Sequence, residues 1–484
     1  MKIIFSLIMG IMMISLASAY TNVSTCKTLN VENEVYQLNK SFSTTGSLAC
    51  FGVTQNNVTL NMMGYTITGD GEVASNGGME YALYSNNWNG TTFINGTIVN
   101  FPQAVRLYGN NAIVNNIKAV NISSAYSYSD DDGTYTFDSC QIEVVGNNNS
   151  ITNNEVKNIQ NIANGKDSWG ICLSDKEYVI GLYSQNSTLN NNNITNISGT
   201  YLVSGIIFAG QNNVLNNNNI SLIKSLYTTT SGKSYGIYGF NLFAALDGKN
   251  KNNSVTNSQV RNITGTPDFS AYGVYLDSAN NTYINNLTIE NILGAYDFSQ
   301  GLSLYLSPDS QVKNINIINV ITIASGTKRD IYTDSKNITC LNCSYTLSKE
   351  SVVGGNLTRQ WYYNAITNLS DGTNLNLQNV TIINSTILMN VTSNSLGVTN
   401  IANLTEYVNN GGTRVYRTNY TFNSTYSGTT ISHTYNLTKT NNIFNDVFTW
   451  TVSSNCWTKT GTGRGSVLFI PRGCLYQLNR GIVG

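Results

Sequence analysis

The chain has 484 residues, and its 26 Lys and Arg are matched by 26 Asp and Glu, beside one histidine. The length allows two or three domains, and the charge balance excludes the basic footprint of a nucleic-acid binder. Only 11% of residues are charged against 41% hydrophobic, and prolines number four. A chain this rich in Ile and Val is not a disordered polar linker.

The first segment, "MKIIFSLIMGIMMISLASAY", has a positive start at Lys2, an apolar run over 3–16 and a small-residue site at Ala17-Ser18-Ala19. This predicts a signal peptide over 1–19, with the mature chain starting near Tyr20. The run is short of the ~20 residues that a membrane span needs. Eight cysteines suit disulfides in an oxidising compartment. Roughly two dozen Asn-x-Ser/Thr sites, such as those at Asn57, Asn95, Asn262 and Asn379, make a glycoprotein wherever the host glycosylates secreted chains. The expected location is extracellular or the cell envelope.

From about residue 56 one pattern recurs. It reads "NNAIVNNIKAVNI" at 110–122, "NNSITNNEVKNI" at 148–159 and "NNVLNNNNISLI" at 212–223, with further copies at 186–197, 252–263 and 280–292. Each copy follows an apolar stretch often led by glycine, such as "WGICLS" at 169–174 or "YGVYLDS" at 272–278. Three short strands per unit, repeating at roughly 25–40 residues, predict a solenoid. Asparagine and glycine tolerate the left-handed corners between strands, the aliphatics fill a narrow core, and stacked amides bond along the axis.

On these motifs the chain resembles the right-handed parallel β-helix proteins of the pectate-lyase-like superfamily, over about 56–347. The resemblance implies an all-β fold, a β-helix over 20–347 including a capping coil. The opening, 25–69, is similar to the capping coil of β-helix proteins common in archaeal secretomes. There a cysteine pair brackets the first strand, which implies a bond between Cys26 and Cys50. Beyond residue 347 the Asn-Asn register fails. Apolar alternation around "RQWYY" at 359–363, a turn at Asp371-Gly372 and "TEY" at 405–407 resemble an immunoglobulin-like or carboxypeptidase-regulatory-like β-sandwich. Antiparallel strands joined by hairpins are expected over 348–440, and strands closed by Cys456 and Cys474 over 441–484.

The search for chemistry finds little. Gly232-Lys233-Ser234-Tyr235-Gly236 fits G-x-S-x-G but precedes a strand, where the motif needs a strand-to-helix turn. His433 has no second histidine for a metal pair and reads as an ordinary strand residue. A glycosidase needs two carboxylates about 5–9.5 Å apart. Matching the outward position after the first Ile or Val gives a column of Arg106, Glu143, Cys172, Ile207, Tyr238, Tyr275 and Tyr332, with one acid. Arg106 and Glu143 are the only candidates for catalysis, and the plain reading is an exposed salt bridge. Asp130, Asp131 and Asp132 offer oxygen ligands for Ca2+ without EF-hand spacing, so no cofactor is assigned. Cys340 and Cys343 suit a local disulfide or another pairing, and Cys140 with Cys172 a cross-coil bond.

The loops between units carry recurring rings: Tyr126, Tyr128, Tyr135, Trp169, Tyr201, Tyr235, Phe269, Tyr272, Tyr296 and Phe298. They either cover the strand edge or bind a sugar chain or protein partner. The reading is a secreted or cell-surface β-helix glycoprotein without catalysis, in envelope architecture, adhesion or binding of envelope glycans or other polysaccharides. A polysaccharide lyase or glycoside hydrolase is the alternative. Self-association, as a subunit of a filament or surface layer, is a further one.

Overall fold

The computed structural model describes residues 20–45, 49–71, 80–124, 127–130, 133–136, 139–161, 168–173, 184–200, 202–226, 235–242, 250–265, 269–294, 298–322, 326–385, 388–437, 443–452, 458–460 and 467–469. The chain divides into two compact units, Met1–Leu357 with Asn409–Thr413, and Thr358–Val408 with Arg414–Gly484. Apart from a 3-10 turn at Leu347–Lys349, the described residues contain no helix. None therefore is long and apolar enough to cross a membrane.

The first unit is a right-handed parallel β-helix. One face, here face A, stacks twelve parallel strands from Lys27–Leu29 to Glu350–Val352. Faces B and C follow each other along the chain. The strand Ile113–Ser124 pairs its first half with Ser150–Thr152 and its second half with Glu155–Asn161.

The corners explain the asparagines. Left-handed φ recurs every five residues, at 111/116/121, 148/153/158, 186/191/196, 212/217/222, 252/257/262, 281/286/291 and 309/314/319. These positions are all asparagine except Leu222 and Asp309. Asparagine tolerates this backbone and bonds locally. On the outside the amides form ladders: Asn158 Nδ2 donates to Asn121 Oδ1 at 2.8 Å, and Asn196 Nδ2 to Asn158 at 2.9 Å. Where the corner asparagine leads its pair, as at 148/149, 153/154 and 191/192, the second residue points inward. Asn192 is buried; its Nδ2 donates to the Ile151 carbonyl at 2.9 Å, and its Oδ1 accepts the Asn154 N–H at 3.1 Å. A buried amide is tolerated because both its ends are bonded.

Leu222 breaks the third ladder, with φ 57° and half its side chain exposed. A branched residue is strained there by ~1–2 kcal/mol. We expect Leu222→Asn to raise stability by about 1 kcal/mol, read as a higher urea midpoint. An unchanged or lower midpoint would contradict the strain.

The core is a stack of like residues. Val156, Ile194, Ile220, Val260, Ile289 and Ile317 pair rung to rung on face C, and all are buried. Opposite them runs a glycine column on face A: Gly170, Gly205, Gly239, Gly273 and Gly301. A Cβ on Gly273 would lie 2.4 Å from Ile289 Cγ2 and 2.6 Å from the Gly301 carbonyl oxygen. The two faces approach so closely that only glycine fits. Disulfides join Cys26 to Cys50, Cys140 to Cys172 and Cys340 to Cys343. Cys456 and Cys474 lie outside the described residues.

The second unit packs an antiparallel four-stranded sheet, which includes Asn379–Ile383 and Asn419–Tyr426, around a core with Tyr363, Leu404, Phe422 and Trp450. Its strands are not all antiparallel, as the hairpin pattern predicts. Asn356–Leu369 and Ile443–Trp450 run parallel, with Tyr362 opposite Ile443 and Leu369 opposite Trp450. The ~70 intervening residues leave room for the crossover that parallel neighbours need. His433 lies in the strand Thr429–Asn436, its Nδ1 2.8 Å from the buried Asp446 carboxylate and its ring stacked 4.6 Å from Phe448. It serves the core of this unit.

Candidate functional site

The outward side of face A carries the groups with chemical potential, and glycine sets their spacing. In Phe269–Asp277 the half-buried, outward residues are Tyr272, Tyr275 and Asp277. Gly273 and Val274 both turn inward between the first two, so strict alternation fails there. The register corrects the predicted column: Arg106, Glu143, Cys172 and Ile207 are followed by Asn241, then Tyr275, Ser303 and Tyr332. Tyr238 belongs to a second column, with Ser204, Tyr272, Gln300 and Arg329.

Three zones follow along this face. In the first, Glu143 is buried and accepts from Tyr108 Oη at 2.8 Å and Gln103 Nε2 at 2.8 Å. Arg106 Nε lies 3.5 Å from Glu143, and its guanidinium donates to the hydroxyls of Tyr81 and Tyr108, both at 2.7 Å. Burial is the largest influence on the Arg106 pKa and lowers it, but Glu143, Tyr81 and Tyr108 together outweigh it and the net shift is upward. This is no exposed salt bridge, as the sequence suggests, but a closed nest of mutually bonded side chains in which Gln103 Oε1 and Arg106 Nε are left without a hydrogen bond.

The second zone is apolar. Trp169 packs with the Cys140–Cys172 disulfide and Ile207, all buried. Trp169 and Phe269 are strand residues that show almost no surface, so neither presents a ring at a loop edge. Tyr235 opens the strand Tyr235–Leu242. Tyr128 and Tyr135 are register partners of the antiparallel strands Ser127–Asp130 and Gly133–Thr136, the first of which ends at Asp130. Tyr126, Tyr201, Tyr296, Asp131 and Asp132 lie outside the described residues. Among the described residues no cluster of three or more His, Cys, Asp or Glu forms a metal site.

The third zone is aromatic and polar. Successive rungs present Tyr272, Tyr275, Asp277; then Gln300, Ser303, Tyr305; then Arg329 and Tyr332, with Asp334 continuing the last row. Tyr238 stacks on Tyr272 with centroids 4.9 Å apart, and Tyr275 closes the group at 5.2 Å from Tyr272. Burial, then Asp277, pushes the Tyr275 hydroxyl well above its ordinary range. Arg329 sits 4.8 Å from the rings of both Phe298 and Tyr332, and among the described residues it forms no ion pair. Burial lowers its pKa, with Tyr332 opposing. Gln300 is buried with Oε1 unpartnered, and Asn241 is buried with neither amide atom bonded. Buried polar groups without partners are few in native proteins and call for an explanation.

The sequence points to Tyr272 and Phe298 in this zone. It misses Asn241, Gln300, Ser303, Arg329 and the acids Asp277 and Asp334. The usable signal was the glycine before each inward aliphatic, which shifts every later outward position by one.

Neither a protein-family model nor a curated protein matches the chain. Among solved structures it aligns with the Dettilon tailspike protein at a TM-score of 0.32 and 11% identity, over 82% of this chain and 72% of that one. It aligns with the Agl-KA catalytic domain at 0.36 and 14%, over 71% of this chain and 62% of that one. A third match is a tailspike protein mutant of E. coli bacteriophage HK620 in complex with pentasaccharide, at 0.29 and 11%, over 87% and 86%. At such scores the activities of these proteins carry nothing over to this chain.

Proposed function

We propose that the third zone of face A binds a polysaccharide, and that the chain is a glycan-binding β-helix protein acting outside the cytoplasm. The observation that carries this is the pair Tyr275 and Tyr332 across the small, buried Ser303. They stand two rungs apart, about 9.6 Å at the usual strand spacing of ~4.8 Å. Ser303 itself is sealed by its neighbours, so a pyranose would stack on the outer edges of these rings and of the exposed Tyr305, beside Arg329. Flat rings with a few convergent polar groups are what a sugar requires.

Three disulfides suit an oxidising compartment, and the apolar leader before Tyr20 supplies the route of export. The test is a glycan array of alginate, pectate, xylan, hyaluronan, dextran and bacterial O-chains. Tyr275→Ala and Tyr332→Ala should each weaken the bound glycan about tenfold or more, the loss of a central aromatic anchor. Binding that survives both changes would place the site elsewhere. No binding across the panel, by a protein shown to be folded, counts against the glycan reading.

A further inference from the structure

We propose that the outward face of the four-stranded sheet in the second unit is a modification site, carrying N-linked glycans at Asn390 and Asn423 that keep its edge strands from pairing with other chains. This rests on the export part of the reading above, not on the sugar site of face A. The sheet runs Leu388–Thr392, Asn379–Ile383, Asn419–Tyr426, Thr429–Asn436, with every neighbour antiparallel. Its first and last strands are edges. Natural proteins guard edges with Lys, Pro, bulges or inward charges. None of these four strands contains Lys, Arg, Asp, Glu, Pro or Gly, and the register of the last pair runs without a bulge. Thr429–Asn436 is eight residues of high β-propensity with no fixed charge. Such a segment is a template for pairing.

What the face carries instead is Asn-x-Thr, the acceptor motif for N-linked sugar. Val380, Val391 and Phe422 point to the core, so an Asn and the Thr two residues on share the outward side. This holds for Asn379 with Thr381, Asn390 with Thr392, Asn419 with Thr421 and Asn423 with Thr425. Thr381 stands between Asn390 and Asn423 in one row, and Ser432 follows on the far edge. The two asparagines are two strands apart, about 9.6 Å, and between them reach both edges. Neither side-chain amide is hydrogen-bonded among the described residues. At the solenoid corners, by contrast, Asn286 spends its Nδ2 on the ladder, donating to Asn257 Oδ1 at 2.8 Å. A depression of about 340 Å³, lined by Asn423 with Gln378, Asn379, Thr381 and Thr425, gives the first sugar room. In the transfer, Asn Nδ2 bonds to C1 of a sugar held on a polyprenyl-phosphate carrier. The bond from C1 to the phosphate oxygen breaks, the carrier phosphate leaves with the electron pair, and Nδ2 gives up one proton.

The full chain, leader included, is expressed in a eukaryotic host that glycosylates exported proteins. Glycopeptide mass spectrometry of the protein from the medium should find sugar at Asn390 and Asn423 in most copies. The double variant Asn390→Gln/Asn423→Gln should keep its near-ultraviolet circular dichroism. In sedimentation it should shift to oligomers as its concentration rises, where the glycosylated chain stays monomeric. Adding Ser432→Lys, which puts a charge on the bare edge, should return it to monomer. A merely misfolded variant would gain nothing from that lysine. An exported chain with both sites bare overturns the proposal and leaves the export reading standing. A double variant that stays monomeric, or oligomers that Ser432→Lys does not disperse, overturns the guarding of the edges. A chain held in the cytoplasm without sugar removes the export reading and the proposal with it.

Discussion

Gly239→Ala should destabilise the β-helix by about 3 kcal/mol, at the upper end of overpacking costs. The added Cβ would lie 2.2 Å from Val260 Cγ1 and 2.5 Å from the Gly273 carbonyl oxygen. Neither can retreat. Val260 is buried and paired to Ile220 on one rung and Ile289 on the next, and Gly273 belongs to a strand bonded on both sides. The matched control is Gly52→Ala. Gly52 also sits on face A, but its added Cβ meets nothing nearer than Ala49 Cβ at 4.0 Å, so a change of less than ~0.5 kcal/mol is expected. Thermal and urea midpoints of the two variants decide the matter. Equal effects would show that glycine is placed in the column for reasons other than space. Stacked rungs couple mainly to their neighbours, so amide exchange in the Gly239 variant should be fastest around that rung.

The second large effect is at the closed nest. Arg106→Leu removes the cation beside a carboxylate with no measurable exposure. Breaking a buried pair by deleting one partner costs about 3–5 kcal/mol, and that loss is expected in urea at neutral pH. Glu143→Gln should cost less, because an acceptor remains for the Tyr108 hydroxyl. The double variant Arg106→Leu/Glu143→Leu should recover at least half of the single loss, since no uncompensated charge stays inside. A double variant no better than Arg106→Leu alone would mean that the Tyr81, Tyr108 and Gln103 bonds, rather than the ion pair, hold the nest together.

The fold was legible in the sequence because its corners demand a rare backbone. A left-handed turn every five residues accepts asparagine and few other residues, so the pattern at 148/153/158 or 252/257/262 shows directly in the letters. The aliphatics between must alternate in and out, and on faces B and C they do. The site was harder to read. On face A the glycine and the following residue both turn inward, as in Gly273-Val274, and matching the position after the first Ile or Val takes Ile237 for Phe240 and so places Tyr238, rather than Asn241, beside Tyr275. That one column has Glu143 as its single acid; Asp277 and Asp334 stand in another, two residues beyond Tyr275 and Tyr332. Burial was also invisible: nothing in the letters of Trp169 or Phe269 distinguishes a ring sealed in a strand from one displayed on a loop. The parallel pairing of Ile443–Trp450 with Asn356–Leu369 depends on partners ~80 residues apart, which local hairpin signals do not reveal.

The fixed five-residue interval between corners has a consequence for how such a molecule changes over time. Equivalent corners of successive rungs are 21 residues apart at Asn95 and Asn116 but 40 apart at Asn212 and Asn252. That difference falls at two seams, one between the third corner and face A and one between face A and the next first corner, as between Asn241 and Asn252. Lengthening the chain at these seams costs little, about 0.6 kcal/mol per doubling of a loop. One residue inserted between corners would instead turn every following side chain inside out. Mutation can therefore remodel the ground beside the outward side of face A again and again, while the scaffold beneath it is forbidden to drift.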